Sequence, residues 1–416
     1  MIHFSQSISD KYACMTHFSF FLIFLLAISF VIGCSSGKQS DDSSKNDGIV
    51  RIDPNSRQRK ILMLSEIIDS ISYVPLETND NCLLGTIREF FVLSENYLLI
   101  ENKDFKLYLF SKTGKFISQI GNIGQGPGEY LYYDTYISRI DEKNSQVIIV
   151  TYNQRQLMYF DFSGKFIKSE PLPFTKVKGW ISYCHSRLYN FHLVQEMNSG
   201  KNPYTYLVTD TAFNVITQKV KPVQFSWKGD IRFYPGVPFF HQYTYNDRIH
   251  TKELLLNDTL YTINDDYSFE PKYIISAGQY DVTVDIRSDP RFSTEMNSYL
   301  MPWSMFETND YLFVLYRYQK KDIPCYYHKK EDKVTHIKTS SSGIPNDFDG
   351  GLDFWPAYQN NNELVAFYDA YQIVEHKKNA NHFKLQGGEE SIKRFDQMVR
   401  NLEAEDNPVM VIVKLK

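Results

Sequence analysis

The sequence predicts an all-β protein, a six-bladed β-propeller with one short helix before a ring-closing C-terminal strand. Two observations support this fold class. A strand–turn–strand pattern recurs with Gly114, Gly164 and Asn214 spaced 50 residues apart, and the chain contains 30 Tyr and 30 Phe. Repeats of roughly 40–50 residues with several strands each are typical of propellers, and aromatic residues are enriched in strands. An array of β-sandwiches or a β-solenoid is the alternative.

The repeated hairpin is clearest at residues 106–121, where apolar and polar side chains alternate on both sides of a Thr-Gly turn. This period of two indicates half-buried strands. The pattern returns at 156–169 and 206–216, where we expect Asn214 to take the place of glycine because asparagine tolerates a positive φ. Further strands are predicted at 97–100, 147–150, 187–191, 254–256, 257–263, 272–275, 311–315, 325–328, 334–337 and 364–367.

The two ends of the β region are predicted to meet. Residues 409–416 form an apolar strand that we expect to pair with residues 71–76. Such closure removes the exposed sheet edges that otherwise promote aggregation. The one predicted helix covers 391–402, where apolar residues fall at helical spacing, and we expect it to pack on the rim just before the closing strand.

The N-terminus has the pattern of a lipoprotein signal. The apolar run at 18–32 is shorter than a membrane span of about 20 residues and ends in Gly33-Cys34, which resembles the bacterial lipobox. We therefore expect 1–33 to be a signal peptide that starts at Met1 or Met15. Cys34 is then lipidated, 34–48 form a flexible polar tether and 49–416 form the propeller. A plain signal peptide or a membrane anchor is the alternative.

Charge and cysteine content narrow the function classes. The formal net charge of −4 argues against a nucleic-acid partner, which normally selects a basic surface. Beyond Cys14 and Cys34, the chain has Cys82, Cys184 and Cys325, an odd number without a C-x-x-C pair. We expect buried free thiols, with neither a disulfide framework nor a metal knuckle.

Four segments resemble a known group of proteins. Residues 73–78, 113–117, 121–130 and 405–410 look like the Bacteroidetes six-bladed β-propeller lipoproteins, which are similar to NHL-type propellers. The resemblance implies the propeller fold and a lipid anchor in the bacterial outer membrane, facing the periplasm or the cell surface. Asp41-Asp42 resemble the surface-export signal of such lipoproteins. The family resemblance implies no particular reaction or ligand.

Two loops are candidate ligand sites. In the first, Asp347 and Asp349 precede two glycines and Trp355. A calcium loop would need a glutamate where Tyr358 stands, so no metal is predicted and an Asp-Gly turn is the alternative.

The second candidate is an aromatic insertion at 233–245 that includes His241 and Tyr243. We expect a loop whose rings stack on sugar or peptide surfaces, or which only covers the blade ends. The glycine-rich segment 121–130 is predicted to be a turn between blades, because no helix follows it as a phosphate-binding loop requires.

The predicted function is a binding or interaction module for a glycan, a peptide or an envelope protein. The sequence holds no H-E-x-x-H or G-x-S-x-G motif, and its histidines are scattered. We therefore predict no catalytic residue and no cofactor. A carbohydrate-active lyase or hydrolase that uses channel carboxylates is the alternative, because residues from different blades can converge without a linear motif.

Overall fold

The structure is a computed structural model. It describes residues 48–85, 87–131, 138–151, 156–171, 179–185, 190–196, 204–220, 240–253, 258–289, 291–339, 341, 343–378 and 384–416. The predicted signal peptide, Cys34 and the tether up to residue 47 lie outside the described residues. So do the whole predicted strand at 254–256, residues 187–189 of the strand predicted at 187–191, and residues 233–239 of the predicted aromatic loop.

The first half of the described chain is a succession of antiparallel sheets. It begins with β1 (Ile49–Arg51), β2 (Arg59–Lys60), helix α1 (Leu64–Ile67) and β3 (Ile68–Pro75). Three four-stranded sheets follow, each built from consecutive strands, with the short parallel pair β8 and β9 between the first two. Their strands are β4 (Ile87–Leu93), β5 (Tyr97–Asn102), β6 (Leu107–Ser111), β7 (Phe116–Ile120), β8 (Asn122–Ile123), β9 (Glu129–Tyr130), β10 (Ser138–Asp141), β11 (Gln146–Thr151), β12 (Gln156–Asp161), β13 (Phe166–Pro171), β14 (Gly179–His185), β15 (Asn190–Glu196), β16 (Tyr204–Thr209) and β17 (Val215–Val220).

The second half repeats this arrangement and incorporates the N-terminal strands. Its strands are β18 (Phe240–Tyr245), β19 (Arg248–Glu253), β20 (Thr259–Ile263), β21 (Phe269–Ser276), β22 (Met301–Glu307), β23 (Tyr311–Tyr318), β24 (Lys321–His328), β25 (Lys333–Ile337), β26 (Tyr358–Asn360), β27 (Glu363–Tyr368) and β28 (Val409–Leu415). β1 pairs with β21 and β2 with β25, both in parallel. We call β18–β21 the fourth sheet, β22–β25 the fifth, and β26–β28 with β3 the sixth. A single parallel bridge joins β18 to β26, so that the fourth and sixth sheets are continuous.

The predicted pairing of the first and last segments is confirmed. β28 lies antiparallel to β3, with Val409 opposite Pro75 and Val413 opposite Ile71. The fold is thus mostly β, as predicted, and its last sheet takes a strand from the N-terminal region. The strand pairings do not form one closed sheet.

The helices are few and short. The remaining ones are α2 (Val284–Ser288), α3 (Phe292–Glu295), α4 (Ala370–Lys378) and α5 (Gly388–Arg400), with 3₁₀ turns at Glu142–Asn144, Gly278–Tyr280 and Met296–Ser298. The predicted helix is α5, and its buried Phe395 lies 4.9 Å from the ring of Tyr73. α4 was not predicted. Within the described ranges, no helix has the length and apolar character needed to cross a membrane.

The repeated turn is confirmed at two positions and shifted at the third. Gly114 and Gly164 have φ of +86° and +82°, as expected. In the third repeat the positive φ, +65°, belongs to Phe213, so the prediction for Asn214 is wrong by one residue. The turn itself is the same in the second and third repeats, because Asp210 accepts the N–H groups of Ala212 and Asn214 as Asp161 accepts those of Ser163 and Lys165. The positive φ falls three residues after each aspartate, so the third repeat follows the second by 49 residues and not by 50.

The predicted aromatic loop at 233–245 is wrong for its last six residues. They form β18, which returns as β19 through a turn at Asn246 and Asp247. Both turn residues have positive φ, +52° and +57°. This is the backbone conformation of the tight turns that join twisted antiparallel strands, and Asn and Asp tolerate it.

Buried side chains join consecutive sheets in pairs. Such clusters lie between the first and second sheets (Leu99, Val147), the third and fourth (Tyr206, Ile249), the fourth and fifth (Tyr243, Leu312), the fifth and sixth (Phe313, Val411) and the sixth and first (Val365, Leu98). Cys82 and Cys325 are buried free thiols, as predicted. The core therefore consists of successive sheet-to-sheet interfaces, and the first sheet packs against both the second and the sixth.

Candidate functional site

The described residues enclose one large open cavity of about 1280 Å³. It is lined by residues of β4, β18 and β22, which are the first strands of three different sheets, and by Ala357, which precedes β26. The segment between β25 and β26 and the start of α4 complete its walls. Because side chains from distant parts of the chain meet here, this cavity is the best candidate for a ligand site.

One wall of the cavity is aromatic, and its tryptophans are held in fixed orientations. The half-buried Trp355 donates its indole N–H to Ser304 Oγ at 2.9 Å, and its ring stands edge-on to Phe306 with 5.2 Å between centres. Trp303 donates its indole N–H to Asp322 Oδ1 at 3.3 Å. Phe91 also lines the cavity. The predicted ligand residue Trp355 thus lies in the cavity wall with its polar atom already bonded.

The segment between β25 and β26 supplies a carboxylate to the same cavity. Asp353 Oδ2 accepts hydrogen bonds from Ser341 Oγ at 2.7 Å and Thr339 Oγ1 at 3.2 Å. All three residues line the cavity. A carboxylate has about four lone-pair positions, so these two hydroxyls leave room for further donors. Asp353 can therefore bind a ligand hydroxyl or amine.

A polar wall comes from α4 and from the residue that precedes it. Asp369, Gln372 and His376 line the cavity at helical spacing, three and four residues apart. His376 Nε2 lies 3.1 Å from the carbonyl oxygen of Gly350. A carbonyl only accepts, so Nε2 carries the hydrogen, and in the neutral ring Nδ1 is a hydrogen-bond acceptor.

His241 also lines the cavity, but Tyr243 does not. His241 Nε2 lies 2.6 Å from the carbonyl oxygen of Met305, and burial lowers the pKa of the imidazole to about 4 although this hydrogen bond opposes the shift. The ring is therefore neutral at physiological pH. Tyr243, two residues along β18, is buried in the interface between the fourth and fifth sheets and donates to Glu307 at 3.0 Å.

Neither Asp347 nor Asp349 lines the cavity, and both carboxylates bond to other groups of the protein, although Asp347 also lines a smaller pocket beside α1. Asp347 accepts the backbone N–H and the hydroxyl of Ser65, at 2.9 and 2.7 Å, and so fixes the start of α1. Asp349 accepts hydrogen bonds from the Tyr73 hydroxyl and the Asn346 amide, at 3.1 and 3.0 Å. Burial raises the pKa of Asp349. Both side chains shape the loop that presents Trp355 and Asp353.

A second polar cluster lies near β18, away from the cavity. The carboxylate of Glu307 is 1% exposed and lies between two ammonium groups, 2.6 Å from Lys272 Nζ and 2.7 Å from Lys329 Nζ. Burial raises the pKa of Glu307, but the two lysines and His250 outweigh this, so its pKa lies below the ordinary value. Burial and the charge of Lys272 lower the pKa of His250 to about 4. The cluster is internally satisfied and stabilises the fold.

Sequence reasoning found Trp355 and His241 but missed Trp303, Asp353 and the α4 wall. The spacing of Asp369, Gln372 and His376 was a usable signal, since residues three and four apart share one face of a helix. Trp303 and Asp353 had no local signal, because only the tertiary structure brings them together. Among the described residues, no group of three or more His, Cys, Asp or Glu side chains is arranged to hold a metal ion.

Comparison with solved structures shows a shared fold. The chain is similar to the crystal structure of a candidate exported protein from Bacteroides fragilis, with 21% identity, a TM-score of 0.61, and coverage of 86% of this chain and 98% of that one. A member of the DUF4221 family from Bacteroides vulgatus is less similar, with 12% identity, a TM-score of 0.46, and coverage of 86% and 99%. No curated protein matches the chain.

A family model supplies the assignment. The model described as a domain of unknown function, DUF4934, matches residues 48–414, which span all the described strands except the end of β28. The match begins where the described structure begins and includes every residue of the cavity. This chain is therefore a member of the DUF4934 family.

Proposed function

We propose that this protein is a six-bladed β-propeller lipoprotein of the bacterial outer membrane that binds a glycan, a peptide or a partner protein. The observation that carries the binding role is the cavity of about 1280 Å³, whose walls combine oriented aromatic rings with polar side chains. Cavities of this kind, mostly apolar with a few convergent polar groups, are typical ligand sites.

The sheet order supports the propeller. Six sheets follow one another along the chain, and the first packs against both the second and the sixth. The sixth contains β3 from the N-terminal region, which is how many propellers fasten the two ends of the chain together. In such a ring the first strand of each sheet faces the central channel, and β4, β18 and β22 all contribute to the cavity.

The envelope location rests on the sequence and on a relative. The apolar run that ends at Cys34 resembles a lipoprotein signal, and the Bacteroides fragilis relative is named as a candidate exported protein. On this proposal residues 1–33 are removed, Cys34 is acylated and residues 34–48 tether the propeller to the membrane. Replacing Cys34 by Ala should move the protein from the membrane fraction to the soluble fraction. Membrane attachment of the Cys34→Ala protein would overturn the anchor.

Binding is tested by thermal unfolding with fractionated glycans and peptides. A ligand that binds only the folded protein raises the unfolding temperature. We expect a shift for the natural chain that is lost when Trp303 and Trp355 are both replaced by Ala. If no fraction shifts the unfolding temperature, or if the double variant shifts equally, the cavity is not the binding site.

The second candidate function is a carbohydrate-active lyase or hydrolase. It is favoured by the presence of Asp353, Asp369 and His376 in one cavity, since paired carboxylates or a histidine perform the proton transfers of such reactions. Incubation with the glycan that binds, followed by product analysis, separates the two. Chain shortening that Asp353→Asn abolishes would establish the enzyme, and an unchanged glycan would support the binding module.

A further inference from the structure

We propose that the cavity binds a neutral carbohydrate, with a sugar ring stacked on Trp355 and sugar hydroxyls bound by Asp353 and His376. This inference rests on the binding role proposed above and names the ligand class. It follows from three features of the cavity: the fixed orientation of its aromatic rings, the kind of polar groups in the same lining, and the sign of its charge.

The aromatic wall is oriented before any ligand arrives. The N–H of Trp355 is bonded to Ser304 Oγ at 2.9 Å, and Phe306 packs against the ring in a T-shaped arrangement with an interplanar angle of 77°. Stacking on this ring therefore costs little side-chain entropy, which is the advantage of a preorganised site. Sugar rings present C–H groups on their faces, and these pack well against an aromatic face. Trp303 is held in the same way by Asp322.

The polar groups that line the cavity include acceptors suited to hydroxyls. Asp353 Oδ2 already accepts from Ser341 and Thr339, which fixes the carboxylate and leaves Oδ1 for another donor. His376 donates through Nε2 to the carbonyl oxygen of Gly350, so Nδ1 is the ring nitrogen left for a ligand hydroxyl. A sugar provides several hydroxyls next to one apolar ring face, which matches a cavity that combines an aromatic wall with fixed acceptors.

The charge of the cavity favours neutral over anionic ligands. Its lining includes three carboxylates, Asp322, Asp353 and Asp369, and one ammonium group, Lys338. Asp322 is paired with Arg317 through two hydrogen bonds, at 2.8 and 3.0 Å, which leaves two carboxylates, Asp353 and Asp369, against the single ammonium group of Lys338 among the described lining residues. A uronate or a sulfate ester would be repelled there, because like charges in a partly desolvated site oppose binding.

The test is a binding comparison across ligand classes at matched length. The probes are hexasaccharides of glucose, xylose and mannose, oligogalacturonates, sulfated oligosaccharides and a peptide library, titrated by calorimetry against the full protein in detergent. We expect a neutral hexasaccharide to bind and its affinity to change little when salt is raised, because salt mainly screens interactions between charges. Trp355→Ala should weaken it by about tenfold or more, and Trp355→Phe by less.

Variants of the polar groups and a matched control complete the test. Asp353→Asn and His376→Ala should each weaken the neutral hexasaccharide severalfold. Tyr371→Ala is the control, because Tyr371 is an aromatic residue of α4 that is 51% exposed and does not line the cavity. It should leave the affinity unchanged. Unfolding temperatures of all variants identify any loss that comes from misfolding.

The outcomes separate this inference from the binding role. Peptides or oligogalacturonates could bind best and lose their affinity in Trp355→Ala. That result would overturn the proposal of a neutral carbohydrate ligand and leave the binding role intact. A neutral hexasaccharide whose affinity does not depend on Trp355 would also overturn it. If no probe of any class binds, the proposed binding role itself fails.

Discussion

The buried carboxylate of Glu307 provides the sharpest test of how this fold is stabilised. We predict that Glu307→Gln, which keeps the side-chain shape and removes the charge, strongly destabilises the protein. Glu307 is 1% exposed, whereas its partners Lys272 and Lys329 have side chains that are 21% and 17% exposed. The substitution therefore leaves two ammonium groups close together in the interface between the fourth and fifth sheets.

The magnitude follows from the contacts that are lost. Glu307 accepts from Lys272 at 2.6 Å, Lys329 at 2.7 Å and the Tyr243 hydroxyl at 3.0 Å. Removing one partner of a buried ion pair costs about 3–5 kcal/mol, because the remaining charge stays desolvated and uncompensated. Folded domains are stable by only about 5–15 kcal/mol, so a large share of the stability should disappear.

The assay is equilibrium unfolding in urea. The free energy of unfolding should fall, while its slope against urea concentration should stay unchanged. Adding Lys329→Met to Glu307→Gln should recover part of the loss, since it removes one of the two uncompensated charges. The control is Glu389→Gln in α5, where the ion pair with Lys393 is exposed, with side chains 81% and 72% exposed, and no measurable change is expected.

A pH series tests the same cluster. The pKa of Glu307 lies below its ordinary value, because Lys272 and Lys329 outweigh burial. Its stabilisation is therefore complete above the ordinary glutamate pKa of about 4.3 and is lost as the pH falls through the lower folded pKa. A loss below about 1 kcal/mol for Glu307→Gln at pH 7 would refute the reasoning, because the ion pairs would then contribute no more than surface ones.

Three further predictions concern turns, histidines and the closing strand. Gly164→Ala should lower the free energy of unfolding by more than about 2 kcal/mol, because a Cβ there would overlap a neighbouring carbonyl oxygen. Gly278→Ala is the comparison: Gly278 also has a positive φ but open space around it, so the loss should be only about 1 kcal/mol. Urea unfolding measures both. His241 and His250 have pKa values of about 4 in the folded protein, so the unfolded chain binds protons at a higher pH than the folded one. The free energy of unfolding should therefore fall as the pH is lowered from about 6.5 to 4, by on the order of 2 kcal/mol for each histidine. Replacing a histidine by Gln should remove its share of this loss. Val411→Asp buries a carboxylate in β28 and should abolish folding. Circular dichroism and proteolysis measure the loss of structure. A variant that stays resistant to protease would contradict the role of this strand.

The sequence by itself determined the local architecture. Alternating side chains set the strands, and the turn residues Gly114 and Gly164 set their connections, because both signals act over a few residues. The pairing of β28 with β3 was also predictable, since two apolar strands at the chain ends need partners. The exception was Asn214, because the third repeat is one residue shorter than the spacing of 50 and its positive φ falls on Phe213.

Only the tertiary structure decided which side chains form the candidate site. Asp347 and Asp349 were predicted as potential ligands, but their carboxylates bond to Ser65 and to Tyr73, far away in sequence. Asp353, which the sequence analysis did not single out, lines the cavity instead. Burial and hydrogen bonding of a polar group depend on what packs against it, and in a protein built from successive sheets those neighbours come from other sheets. The strands were therefore predictable from short-range patterns, whereas the cavity was not, because it exists only where distant strands meet.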